Sequence, residues 1–232
     1  MDKKKKRIIA ASIIATIIVV ATSIFVIRYL LNRNKKYSSY YNQKVALFAE
    51  QNQSIVKGET DIVFIGDSLT DLYPVDSYYP EYNVLNRGIG GDTTYGLYDR
   101  LDVSLYQVEP KVVVMLIGAN NFSSMLNNYE SIVEDINANL PNTKLVILSL
   151  TALGGRWAER IPNESVIDRN VALKEIANRH SCTFVDLFTP LYNTETGEVY
   201  DGYTIDGGHF TETGYNVVTS TIMPVVKAIL EE

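Results

Sequence analysis

Five short apolar runs alternate with amphipathic stretches along residues 59–232. The runs lack the polar alternation of a half-exposed sheet, which is typical of strands buried on both faces. They are residues 61–66, 83–88, 111–118, 144–150 and 182–188. Amphipathic helices are predicted for residues 93–105, 126–139, 164–180 and 212–230. This alternation predicts an α/β fold: a three-layer α/β/α domain with a flavodoxin-like parallel sheet of about five strands.

A basic block and an uncharged apolar run precede this domain. Residues 1–7 read MDKKKKR, and residues 8–27 carry no charge. Twenty helical residues span roughly 30 Å, which is about the thickness of the hydrocarbon core of a bilayer. We therefore predict a cytoplasmic basic segment (1–7), one N-terminal transmembrane signal anchor (8–31), a stalk (32–58) and a globular domain (59–232).

A cleavable signal peptide is the alternative interpretation of the apolar run. Its hydrophobic core is usually only about 7–15 residues long, and no convincing small-residue cleavage site ends the run, which Arg28, Arg33, Lys35 and Lys36 follow. The dense basic block before the run favours a cytoplasmic N-terminus and an extracytoplasmic domain. Because Cys182 is the only cysteine, the chain forms no internal disulfide, and we predict a buried strand residue there.

The charge of the chain is divided unevenly. Residues 1–36 carry nine Lys or Arg and one acid, which leaves 12 basic and 26 acidic residues for the remainder, a net charge of −14. Nucleic acids bind to surfaces of the opposite sign, where lysine and arginine neutralise phosphates. The exported part is therefore not expected to bind nucleic acid.

Three of the predicted strands end in polar, glycine-bearing stretches: GDSLTD (66–71), NRGIGGDTT (86–94) and GANNFSS (118–124). In an open parallel sheet the crevice beyond the carboxyl ends of the strands is where ligands bind. Ser68 opens the helix after the first strand, where a serine is either a helix cap or a nucleophile. Neither G-x-S-x-G nor a phosphate-binding G-x-x-x-x-G-K-[ST] occurs.

One of the two histidines of the chain lies in the turn YTIDGGHF (203–210). His209 is placed to accept the Ser68 proton, and Asp206, three residues earlier, to fix the tautomer of the ring. His180 ends a predicted helix and is interpreted as a surface or capping residue. Two histidines and one cysteine make no convincing zinc-ligand set, so no metal site is predicted.

These blocks, in this order, resemble those of the SGNH or GDSL hydrolases. The resemblance covers nearly all of residues 60–220 and implies a serine esterase without a cofactor, in which Ser68, His209 and Asp206 form the catalytic triad. It also implies an oxyanion hole made by the N–H groups of Ser68 and Gly91 and the side-chain amide of Asn120. Amide donors that are oriented before the reaction stabilise the charge of the tetrahedral intermediate.

The third block departs from the common G-x-N-D because Asn121 stands in place of the aspartate. The branch of the family that resembles the catalytic subunits of platelet-activating-factor acetylhydrolase carries G-x-N-N, and its second block also reads GIGGDTT. The departure therefore points to that branch and to short acyl groups, acetyl above all. We assign Asn121 to support of its loop.

The sequence thus predicts a membrane-anchored, extracytoplasmic serine esterase that acts on a small ester or an O-acylated glycan. Loops rich in Tyr, Asp, Asn and Gly predict a lining suited to hydroxylated substrates, and Arg156 and Trp157 are candidates for substrate contacts. Three alternatives stay open: an O-acyltransferase acting on cell-envelope glycans, a lysophospholipase-type lipid esterase, and a catalytically silent glycan-binding module. The natural acyl group, the alcohol and the oligomeric state are left undetermined.

Overall fold

The computed structural model of the protein describes residues 37–231 together with Thr16, Val19 and Thr22. The basic segment 1–7 lies outside the described residues, and so does the predicted anchor 8–31 apart from those three positions. Within the part of the chain that is described, no helix has the length and apolar character needed to cross a bilayer. The chain divides into two compact units, residues 1–42 and 43–232.

Five parallel strands form the central sheet. They are β1 (Ile62–Gly66), β2 (Val84–Gly88), β3 (Val112–Leu116), β4 (Lys144–Leu148) and β5 (Thr183–Val185). Their order across the sheet is β2-β1-β3-β4-β5, and Ile62 pairs with Val84 on one side and with Val112 on the other. Every residue of β1 and β3 is buried. Because successive side chains of a strand point to opposite faces, both faces of the sheet are covered, which confirms the three-layer prediction.

The four predicted long helices are present, and one of them is interrupted. The helices are α1 (Ser39–Asn52), α2 (Ser68–Asp71), α3 (Val75–Tyr78), α4 (Thr94–Asp99), α5 (Leu126–Asn139), α6 (Gly155–Arg160), α7 (Asn163–Arg179), α8 (Phe188–Leu191) and α9 (Glu212–Leu230). The sequence predicts a continuous helix over 93–105, but α4 ends at Asp99 with Arg100 as its C-cap, and a π-helical turn follows over Asp102–Tyr106. The side chain of Arg100 is buried and donates to backbone oxygens at the ends of β1 and β2. It therefore does not lie on the exposed face of a helix.

The second half of α1 packs on the edge strand β2. Phe48 is 1% exposed, and the guanidinium carbon of Arg87 lies 4.6 Å from the centre of its ring. The same guanidinium donates to the side-chain oxygens of Gln51 and Asn52 at 2.7 Å each, and burial lowers the pKa of Arg87 to about 10. The compact unit therefore includes residues 43–58 of the segment predicted as a stalk.

The sheet order places β1 at the point where the direction of winding reverses, with β2 on one side and β3 on the other. Loops that leave the carboxyl ends of the strands diverge at such a point and open a crevice. The stretches that begin at residues 66, 88 and 118 all leave the sheet there. The fold thus brings the three polar blocks to one edge of the sheet.

Candidate active site

The nucleophile candidate Ser68 is the first residue of α2, directly after β1. Asp67 caps this helix, since its carboxylate accepts the N–H of Leu69 at 3.1 Å. Gly66 has no substitute here, because a Cβ would lie 2.0 Å from the carbonyl oxygen of Leu116 on β3. The Ser68 N–H belongs to the first turn of the helix, where backbone N–H groups have no partner within the helix. The local structure therefore presents a hydroxyl and a backbone donor together.

The structure brings Ser68, His209 and Asp206 together over a separation of 141 residues. The Ser68 Oγ lies 3.0 Å from the His209 Nε2, and the His209 Nδ1 lies 3.0 Å from the Asp206 Oδ2. A neutral imidazole that donates from Nδ1 to a carboxylate keeps Nε2 free to accept a proton. This arrangement is that of a nucleophile, a base and a group that orients the base.

The turn between Asp206 and His209 holds its shape through the same carboxylate. The Asp206 Oδ1 accepts the backbone N–H groups of Gly208 and His209 at 3.1 and 2.8 Å. Gly207 has φ +87, in the left-handed region that favours glycine, and a Cβ there would lie 2.0 Å from the Gly154 carbonyl oxygen. Burial acts to raise the pKa of Asp206, but the hydrogen bonds from His209 and Gly208 outweigh it and hold that pKa well below its ordinary value.

The oxyanion candidates lie on the loops after β2 and β3. Gly91 has φ +78, and its N–H has no acceptor among the residues the structure describes. Asn120 lies in a 3₁₀ turn (Ala119–Asn121) and donates one amide hydrogen to the Asp92 carbonyl oxygen at 2.9 Å, which leaves the second hydrogen for another acceptor. Ser68, Asn120 and His209 line the same cavity. Gly91 is not among its lining residues, but the adjacent Asp92 accepts the hydrogen bond from Asn120.

Asn121, which stands where the family commonly has aspartate, faces the start of α4. Its side-chain oxygen accepts the N–H of Thr94 at 3.2 Å, and its amide donates to the Thr94 Oγ1 at 2.9 Å. The Thr94 hydroxyl in turn donates to Asn128 on α5. Asn121 thus joins the loop after β3 to two helices, in agreement with its predicted role in loop support.

A buried ion pair under the loops was not predicted from the sequence. The Arg100 Nε lies 2.8 Å from the Asp92 Oδ2, and the rest of the guanidinium donates to the carbonyl oxygens of Arg87 and Gly66. Both side chains are at most 2% exposed. Burial raises the pKa of Asp92 even though Arg100 acts to lower it. One arginine therefore ties the ends of β1 and β2 to the loop that carries the oxyanion candidate Gly91.

The cavity beside Ser68 is mainly apolar, which differs from the hydroxyl-binding lining expected from the loop composition. Trp157 from α6 covers the side of Gly208, where a Cβ would lie 3.3 Å from the ring atoms Cδ1 and Nε1. Other apolar walls are Leu116, Phe122, Leu150, Leu153, Ile161 and Val166. These residues lie in separate parts of the chain and form no sequence motif. Of the apolar walls, only Trp157 was a candidate from the sequence.

Polar residues line a second groove, which Asp206 borders. It is formed by the β6–β7 hairpin (Tyr192–Asn193 and Glu198–Val199) and the loop that follows. Asn193, Glu198, Asp201 and Thr204 contribute polar side chains there. Arg156, the other predicted contact, is 73% exposed, and its guanidinium lies 3.6 Å from the Asp206 Oδ2.

The two remaining candidates of the sequence lie away from this site. His180 caps the end of α7, and its Nε2 is 2.8 Å from a carboxylate oxygen of Glu130, as predicted for a surface or capping residue. The prediction of a buried strand residue at Cys182 is wrong: it is half-buried and lies directly before β5, because its N–H donates to Ala177 at the end of α7. Burial raises the pKa of its thiol, and Asn137 contacts the sulfur.

The buried carboxyl of Asp67 leads to a prediction about pH. Burial raises its pKa to about 7, whereas an unfolded aspartate titrates near 3.9. The folded chain therefore binds this proton more tightly, so this carboxyl makes the free energy of unfolding fall as the pH rises from about 4 to 7. Asp67→Asn keeps an acceptor for the Leu69 N–H and removes the titration. Relative to the wild type, we expect the free energy of unfolding of the variant to rise by about 2–4 kcal/mol between pH 4.5 and 8.

Urea unfolding of both proteins at pH 4.5, 6 and 8 measures this difference. Asp76→Asn is the matched control, because Asp76 is an exposed acid on the adjacent helix α3. A stability difference between Asp67→Asn and the wild type that does not change with pH would contradict the raised pKa.

Comparison with known proteins gives a match to a family profile, a related protein and similar solved structures. The profile of the GDSL-like Lipase/Acylhydrolase family matches residues 64–217. Human platelet-activating factor acetylhydrolase IB subunit alpha2 is 28% identical over 191 residues, which cover 75% of this chain and 79% of that protein.

Solved structures agree with the fold. A protein described as a platelet activating factor from Streptococcus pneumonia superposes with a TM-score of 0.72 and 25% identity, covering 89% of this chain and 99% of that one. A GDSL-like lipase from Bacteroides thetaiotaomicron superposes with a TM-score of 0.71 and 22% identity, covering 82% and 99%. At that lower identity the second likeness concerns the fold alone.

Proposed function

Because this chain belongs to the GDSL-like lipase/acylhydrolase family and is a carboxylic ester hydrolase, we propose that it hydrolyses short-chain esters through Ser68, His209 and Asp206. The observation that carries the proposal is the 3.0 Å contact between the Ser68 Oγ and the His209 Nε2, with Asp206 behind the ring. In this mechanism the Ser68 Oγ attacks the ester carbonyl carbon while His209 Nε2 takes the hydroxyl proton.

The tetrahedral intermediate carries its negative charge on the former carbonyl oxygen. The N–H groups of Ser68 and Gly91 and the free amide hydrogen of Asn120 are the proposed donors to that oxygen. When the intermediate collapses, His209 returns the proton to the leaving alcohol and Ser68 stays acylated. Water, deprotonated by the same Nε2, then releases the acid and restores the serine.

The acyl chain is proposed to enter the apolar cavity beside Ser68. Its walls, among them Leu116, Leu150 and Val166, are core side chains that suit a hydrocarbon and offer few partners to hydroxyl groups. The likeness to a protein named acetylhydrolase supports a short chain. The natural acyl group is therefore proposed to be acetyl or a close homologue.

Rates with p-nitrophenyl acetate, butyrate and palmitate test the chain-length proposal. We expect kcat/KM for acetate and butyrate to exceed that for palmitate by at least about tenfold. A methylene group that does not fit such a pocket costs about 1–3 kcal/mol of transition-state binding. Trp157→Ala removes one wall and should raise the butyrate-to-acetate ratio several-fold. A preference of the wild type for palmitate would refute the short-chain proposal and favour the lipid esterase.

The leaving alcohol is proposed to be a hydroxylated molecule, such as an O-acylated glycan. The support is the polar groove of Asn193, Glu198, Asp201 and Thr204, which borders the residue that orients the base. The same groove keeps the O-acyltransferase alternative open. Adding a sugar acceptor to the acetate assay separates the two: appearance of acetylated sugar with faster p-nitrophenol release favours the transferase, and an unchanged rate with free acetate favours the hydrolase.

The location is also a proposal. The uncharged run 8–27 after a basic block supports an anchor in the membrane, with the catalytic domain outside the cytoplasm. Residues 37–232 are expected outside the cytoplasm, so protease treatment of intact cells should degrade them. Full protection of that domain would refute the orientation, and a mature chain that starts near residue 24 would indicate cleavage.

A further inference from the structure

The side chain of Asp71 connects the helix of the nucleophile to the loop of the oxyanion candidate. Asp71 is the last residue of α2, three residues after Ser68. Its Oδ2 accepts the backbone N–H of Gly90 at 2.8 Å, and Gly90 directly precedes Gly91. This hydrogen bond joins the two elements whose separation decides how Ser68 and the Gly91 N–H approach the same carbonyl group.

The loop from Ile89 to Asp92 is closed by a hydrogen bond of its own, since the Asp92 N–H donates to the Ile89 carbonyl oxygen at 3.0 Å. The Ile89 N–H donates to the Gly66 carbonyl oxygen at 3.0 Å, and Asp92 is held by Arg100. Gly90 and Gly91 lie between these points, and glycine has the greatest backbone freedom of any residue. Among the described residues, Gly90 donates its N–H to Asp71, and the Gly91 N–H has no acceptor. The contact with Asp71 thus holds the residue directly before Gly91 and restricts the orientation of the Gly91 N–H.

Lys44 on α1 holds the other oxygen of the same carboxylate. Its Nζ lies 2.8 Å from the Asp71 Oδ1, and the two side chains are 21% and 9% exposed. A carboxylate so far removed from water requires charged or hydrogen-bonded partners, and bonds to ionised groups are the stronger and shorter ones. With Oδ1 bound to Lys44, Oδ2 faces Gly90. Lys44 lies outside all four sequence blocks, so no motif indicates its part.

The strand end β2 supports the same contact. A Cβ on Gly88 would lie 2.2 Å from the Asp71 backbone nitrogen, so only glycine lets the strand approach α2 this closely. The Asn86 amide donates to the Thr70 and Tyr73 carbonyl oxygens at 2.7 and 2.9 Å, which holds the end of α2 against β2. Asp71 and Gly90 therefore face each other across a closely packed junction.

We propose that Asp71 is a positioning residue, held by Lys44, that orients the Gly90–Gly91 backbone toward the oxyanion that forms when Ser68 attacks. The inference rests on the proposed esterase mechanism and extends it to a residue that touches neither the substrate nor the reacting atoms. Hydrogen bonds to the oxyanion stabilise the transition state more than the bound substrate. Loss of the contact between Asp71 and Gly90 therefore lowers kcat and leaves KM nearly unchanged.

The test compares variants of the full chain with p-nitrophenyl acetate. Complete loss of an oxyanion donor costs about 100- to 1,000-fold, so we expect Asp71→Ala, which only releases the donor's support, to lower kcat roughly 10- to 100-fold with KM within about twofold. Asp71→Asn keeps an oxygen for the Gly90 N–H and should restore kcat to within about fivefold of the wild type. Asp76→Ala, which removes an exposed acid nearby, should leave both constants unchanged.

A second comparison stands even if Asp71→Ala does not fold. Lys44→Met should lower kcat several-fold alone and cause no further loss in an Asp71→Asn background, because the lysine acts through the carboxylate. Additive losses would overturn the inference, as would a change confined to KM or equal losses in folded Asp71→Ala and Asp71→Asn. A wild type whose ester turnover does not depend on Ser68 would instead refute the proposed function itself.

Discussion

Ester hydrolysis should fall by roughly 10⁴-fold or more when Ser68 is replaced by alanine, the range found when a serine nucleophile is removed. Attack on the carbonyl carbon requires the Oγ, and the only hydrogen bond of that atom within the described residues is to His209. The domain should stay folded, because Asp67 and not Ser68 caps the helix. Turnover of p-nitrophenyl acetate, with thermal unfolding as the control for folding, measures both effects.

His209→Ala should cause a loss of similar size, since the hydroxyl is a weak nucleophile without its base. The two residues act as one unit, so the double variant Ser68→Ala/His209→Ala should lose little beyond either single variant. Near wild-type turnover in Ser68→Ala would show that the mechanism is wrong. Losses that multiply in the double variant would show that the two side chains do not act together.

The second large effect is expected at Asn120. Its side chain is exposed and makes one hydrogen bond, to the Asp92 carbonyl oxygen. Truncation to alanine should therefore cost little stability but remove the proposed oxyanion donor, whose hydrogen bond would strengthen only as the oxyanion forms. We expect kcat to fall by about two to three orders of magnitude with little change in KM.

Asn121→Asp is the matched control for Asn120→Ala. Asn121 is the adjacent residue, but its side chain bonds to Thr94 and supports the loop. Its replacement should be much milder than that of Asn120. An effect of Asn120→Ala on KM alone would reassign this residue to binding of the substrate before reaction.

The secondary structure was largely predictable because its signal is local. The predicted helices 126–139 and 212–230 match α5 and α9 residue for residue, and each predicted strand contains an observed one. A helix that is buried on one side has apolar residues with a period of 3.6. A strand that is buried on both sides has an unbroken apolar run. The interruption at Arg100 was missed because its cause, hydrogen bonds to Gly66 and Arg87, comes from other elements.

The candidate site residues could be chosen from the sequence alone, since Ser68, Gly91, Asn120, Asp206 and His209 lie in short blocks whose order and glycines are visible along the chain. How these blocks meet depends on the tertiary structure. The 3.0 Å contact across 141 residues and the walls of the apolar cavity depend on how the crossovers pack helices against the sheet. The link from Lys44 through Asp71 to Gly90 depends on the same packing. The polarity and size of a side chain can be read from the sequence. Its contact partners depend on packing between segments far apart in the chain, and the local hydrophobic pattern contains no information about that packing.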